Sequence, residues 1–136
     1  MTDNLIKAME LLEGHTCVLY NGTKTYTSTE RGITPLLGFI GSNVDFRGYS
    51  VADKVVGKGA AMIYAAMGIK EIFADIMSVP AKEIFEKNKI DCSCKLCVPA
   101  IRNRDKTGFC PIESAVMDVD NPYEAIDVIK NKVKEL

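Results

Sequence analysis

Residues 50–68 read Ser-Val-Ala-Asp-Lys-Val-Val-Gly-Lys-Gly-Ala-Ala-Met-Ile-Tyr-Ala-Ala-Met-Gly. Val55, Val56, Ala60, Ala61, Met62, Ile63, Ala65, Ala66 and Met67 place apolar groups around most of a helical circumference, so the stretch predicts one buried helix. Ser50 or Asp53 caps its start and Gly68 closes its end. Asp53, Lys54 and Lys58 gather at the amino-terminal mouth, where unpaired N–H groups and the positive end of the helix dipole leave the core. Gly57 and Gly59 keep that mouth narrow. Each costs a helix about 1 kcal/mol against alanine, which implies tight packing or the close approach of a backbone or ligand.

Before this helix, Asn4 to Leu12 carries Leu5, Met9 and Leu12 on one helical face, with Thr2 or Asp3 as cap and Gly14 as stop. Cys17 to Tyr20, Asn21-Gly22 and Thr23 to Ser28 have the form of a tight β-hairpin, because Asn-Gly accepts the positive φ angles of a type I′ turn. His15 precedes it as a solvated or capping residue. Glu30-Arg31-Gly32 is a connection in which Arg31 either pairs on the surface or meets a carboxylate or phosphate. Thr34-Pro35 starts a short helix through Phe39, with Thr34 as cap and Pro35 at its first position, and Gly41 to Gly48 is expected to be an exposed loop. After the buried helix, Glu71–Met77 and Ile90–Cys97 are strands flanking a helix that begins at Pro80, a βαβ unit with parallel strands. Cys110-Pro111 starts a short helix, and Asn121-Pro122 caps the last one.

The 136 residues, 47% of them hydrophobic, suit a single domain, residues 1–136, with one core. Seventeen basic against 18 acidic residues give a net charge of -1, which offers no electrostatic footprint for nucleic acid or an anionic membrane. No apolar run approaches the roughly 20 residues of a membrane span, and the amino terminus lacks the pattern of a signal peptide, so a cytoplasmic protein is expected. Homo-oligomerisation stays open.

Three runs then carry a resemblance: Ser28-x-Glu30-Arg31-Gly32-Ile33-x-Pro35-Leu36-Leu37, Ala52-Asp53-Lys54-Val55-Val56-Gly57-Lys58-x-Ala60-Ala61, and Asn103-Arg104-Asp105-x-Thr107-Gly108-x-Cys110-Pro111-x-Glu113. In this order they resemble DUF1893, a small prokaryotic family of unknown function, over most of the chain. The resemblance implies an α/β fold, a three-layer α/β/α sandwich with a mixed sheet of the cytidine-deaminase-like superfamily. Members of that superfamily that act as deaminases hold zinc between two helix starts with His and Cys ligands, and a Glu moves protons. Here Asp53 and Lys54 stand where a His or Cys ligand and that Glu would be, Glu113 replaces the second Cys of the other motif, and Pro111 follows Cys110. A protonated lysine binds no zinc. The resemblance therefore implies the fold without zinc-dependent cytidine deamination, and no metal or cofactor is expected.

What remains is the pocket. Two helix starts facing one cleft would bind an anionic, nucleotide-like small molecule, with Lys54, Gly57, Lys58 and Arg104 as ligand-binding residues. Asp53, Cys110 and Glu113 are the candidate catalytic groups. Cys110 begins a helix whose dipole favours a thiolate, though it lacks a plausible His partner. The same reading expects Asp53, Lys54, Cys110 and Glu113 in one cleft. A second function class rests on Cys92-x-Cys94-x-x-Cys97, a thiol or metal module for zinc or an iron–sulfur cluster. On a strand, Cys92 and Cys94 share a face that Cys97 does not.

Overall fold

The hairpin consists of β1 (Cys17–Tyr20) and β2 (Thr25–Ser28) in antiparallel register, Cys17 opposite Ser28 and Tyr20 opposite Thr25. Its connection is four residues long, not two. Gly22 takes φ +97°, while Asn21 acts through its side chain, whose Oδ1 accepts from the amides of Thr23 at 2.9 Å and Lys24 at 2.6 Å. The structure is a computed structural model, and residues 1–102 and 110–136 are described.

Residues 50–56 are a strand, which corrects the single helix expected over 50–68. β3 (Ser50–Val56) leads through Gly57 into α3 (Lys58–Met67). Its core residues Val51, Ala52 and Val56 are buried on a strand covered from both sides, so the run shows no alternation that would separate it from a buried helix. The second half is the helix expected, buried nearly all round, and Gly68 ends it at φ +74°.

β4 (Glu71–Ser78), α4 (Val79–Lys87) and β5 (Asp91–Val98) follow. β4 and β5 are parallel neighbours, as the βαβ reading required; β3, which that reading did not include, lies parallel to β4 on its other side, and β1 joins β3 antiparallel, giving a five-stranded mixed sheet in the order β2-β1-β3-β4-β5. α4 is capped by Ser78, whose Oγ accepts from the Ala81 amide at 3.2 Å.

Helices lie on both sides. α1 (Asp3–Leu11) starts at Thr2, whose hydroxyl accepts from the Leu5 amide, and lays Ala8 against Val18 and Ala52. The opposite face of β1 and β3, with Leu19 and Val51, belongs to the larger core with α2 (Thr34–Ile40), α3, α4, α5 (Pro111–Val116) and α6 (Pro122–Glu135). Thr34 does not cap α2, whose boundary residue is Ile33, whereas Asn121 caps α6 by accepting from the Tyr123 and Glu124 amides.

The stretch 41–48 is also not wholly exposed. Phe46 is buried and meets Tyr26, Phe39 and Tyr49 with ring centroids 5.2, 5.7 and 5.1 Å away, all near edge-to-face. Among the described residues no helix is long and apolar enough to cross a membrane.

Candidate functional site

Asp53 sits in the middle of β3, opposite Cys17 of β1 and Ala74 of β4. It is 7% exposed, on a central strand where a polar side chain is unexpected. Tyr64 explains how it is tolerated: two turns into α3, its hydroxyl donates to Asp53 Oδ2 at 2.7 Å. Burial pushes the Asp53 carboxyl up to about 7, against the opposing pull of Tyr64 and of the Lys54 and Val55 amides. Burial and the neighbouring Asp53 push the Cys17 thiol up to about 12, and the same two causes lift Tyr64 well above an ordinary phenol. Cys17, Asp53 and Tyr64 thus form a polar knot in which burial favours the protonated form of every member.

Cys17 and Asp53 line a cleft of about 990 Å³, with Tyr64 fully buried behind them. Its lining comes from the start of β1, the connection after β2 with Glu30 and Arg31, the carboxyl-terminal half of β3 through Gly57, residues 101–102, the start of α5 and the end of α6. The cleft therefore lies at the carboxyl end of a parallel strand, where open α/β sheets bind ligands. Asp53, Lys54, Cys110 and Glu113 all line it.

Their bonding differs from what the sequence suggested. Asp53 and Lys54 lie on β3, upstream of the helix start. Lys54 Nζ is 3.7 Å from Asp75 Oδ2, and Asp75 also meets Lys95 at 3.7 Å. Glu113 caps α3: its Oε1 accepts from the Lys58 amide at 2.7 Å and its Oε2 from the Gly59 amide at 2.9 Å. The amides assigned to a bound anion are thus occupied by a carboxylate of the chain itself. Gly57 is narrow for the same reason, since a Cβ there would overlap that carboxylate. Lys58 turns away from the cleft, donating to the Met117 carbonyl at 2.8 Å and standing 4.0 Å from Asp120. Cys110 is half-buried at the boundary of α5. Arg104 lies outside the described residues.

Zinc does not fit this arrangement. Asp53 is engaged by Tyr64 and Glu113 by the start of α3, and among the described residues no three His, Cys, Asp or Glu side chains converge. The same observation counts against the metal module. Cys92 and Cys94 pack against the core side of β5, while Cys97 is exposed.

The sequence reading missed Tyr64, Cys17 and Arg102. A tyrosine in a helix buried on all sides must find a partner for its hydroxyl, and that signal was available at Tyr64. Nothing in the sequence alone pairs Cys17 with Asp53, because their neighbourhood depends on strand order.

Residues 6–133 match the family described as a domain of unknown function (DUF1893). No curated protein matches the chain. Among solved structures, the crystal structure of a DUF1893 family protein from Thermotoga maritima is similar, with 26% identity, a TM-score of 0.88, and coverage of 97% of this chain and 92% of that one.

Proposed function

The chain belongs to the DUF1893 family, which carries no assigned function, and we propose from the geometry that its cleft binds an anionic small molecule of nucleotide-like size beside a proton-handling Asp53. The observation that carries this reading is the placement of a buried carboxyl, titrating near neutrality and fixed by Tyr64, in the wall of a cleft about 990 Å³ in volume. A carboxyl poised near the working pH is suited to take or return a proton.

The anionic part of the ligand meets side chains instead of the α3 amides that Glu113 covers. Arg31, Lys54 and Arg102 line the cleft and supply positive charge. Among the described residues Arg31 and Arg102 enter no ion pair, and Lys54 holds only a long one, so their cost of redirection to a ligand is small. Helices on both sides of the mixed sheet agree with a three-layer, cytidine-deaminase-like sandwich, which we retain as the reading of the fold. Cytidine, deoxycytidine and adenosine are not proposed as substrates of zinc-dependent deamination, because the ligand set and its proton-shuttling Glu are missing.

Thermal shifts with nucleotides and small phosphorylated compounds test the proposal. A stabilising shift is expected in the native chain and a smaller one in Lys54→Ala and Arg31→Ala, whose melting temperatures without ligand stay near native. No shift with any compound removes the ligand class, and equal shifts in all three proteins remove the basic residues from recognition.

A further inference from the structure

The two margins of the sheet differ. β2 is four residues long, and a short edge offers little to pair with. β5 runs for eight residues without proline, and among the described residues its outer edge meets no strand. Leu96 on it is 54% exposed. Edges of this length are usually blunted by charge. β5 instead carries one charge of each sign on one face, Asp91 and Lys95, with Ser93 midway between them. The Lys95 side chain is 74% exposed and meets Asp75 only at 3.7 Å, which leaves it free to turn outward.

We propose that two copies of this chain pair antiparallel through β5 with Ser93 on the two-fold axis, each Asp91 lying opposite Lys95 of the second copy. Charge selects this register. An axis through Lys95 would oppose two lysines, and an axis through Cys94 would set Asp91 opposite Cys97 and leave both charges unmatched. The Ser93 axis also brings the exposed Leu96 beside Ile90, just before β5 in the second copy, and sets Cys92 opposite Cys94, covering Leu96 and the two half-buried cysteines. The interface is self-complementary, as a two-fold homodimer requires, and extends the sheet to ten strands.

Sedimentation equilibrium of the full chain tests this with Asp91→Lys, Lys95→Asp and the double exchange. The native chain is expected to dimerise, each single reversal to weaken the dimer by about tenfold or more, and the exchange to restore it to within about threefold. Asp91→Lys is the cleaner single variant, because Lys95→Asp also faces Asp75. Both positions are exposed, and native-like thermal unfolding of the variants, compared with the native chain at concentrations too low for dimers, separates a lost interface from a lost fold. A native chain that stays monomeric up to about 100 µM, reversals without effect, or an exchange no better than the single changes would each overturn the proposal.

Discussion

The Glu113 carboxylate occupies the space that a side chain at Gly57 would need, and in doing so it bonds the Lys58 and Gly59 amides. Gly57→Ala is therefore expected to expel the cap and to cost about 1–3 kcal/mol, while Glu113→Ala costs about 1–2 kcal/mol. In the Glu113→Ala background the added methyl meets no carboxylate, so Gly57→Ala becomes nearly neutral. Denaturant unfolding of the four proteins in this cycle checks the coupling, and additive losses would remove it.

Asp53 gives the fold a pH dependence of definite sign. The native carboxyl keeps its proton up to about 7, while the unfolded one loses it near 3.8. Between those values the native state holds more protons, so stability falls as pH rises and levels off above about 7. The total decline is a few kcal/mol at most. Asp53→Asn should flatten this slope in denaturant midpoints measured from pH 4 to 8, and a slope that persists would assign it to other groups.

Tyr64→Phe keeps the ring and removes the donor to Asp53. A loss of about 1–3 kcal/mol is expected, together with a further rise of the Asp53 pKa, because one of the groups favouring the carboxylate is gone. Carboxyl-selective NMR titration of Asp53 in both proteins measures that rise directly.

Much of the architecture was legible from short-range chemistry. Thr2 and Asn121 have the side chains that N-caps need, Gly68 lacks the Cβ that keeps other residues from a left-handed turn, and the βαβ punctuation around Pro80 gave parallel strands. Ser50–Val56 was illegible for a physical reason. A central strand buried on both faces and a buried helix have the same apolar composition, and only the glycine at 57 marks the change of element. The grouping of Asp53, Lys54, Cys110 and Glu113 around one cleft was legible, but Lys58 turns away from it, and nothing local says that Glu113 is consumed as a cap or that Asp53 finds Tyr64.

Phe46 offers a check on the stretch that was read as exposed. Its ring is enclosed by Tyr26, Phe39 and Tyr49, so Phe46→Ala should cost about 3–5 kcal/mol, against less than about 0.5 kcal/mol for changing the exposed Asn43 to Ala in the same stretch. Thermal and denaturant unfolding distinguish the two outcomes readily.

The cap from Glu113 to Lys58 spans 55 positions of sequence. Hairpin and βαβ contacts close shorter loops, so the chain can organise most of its sheet before this link can form. A contact completed after the folding barrier is crossed has little influence on how fast the chain folds and governs how long it stays folded. Stopped-flow kinetics of Glu113→Ala should accordingly leave the refolding arm of the chevron nearly unmoved and raise the unfolding arm, shortening the lifetime of the native state.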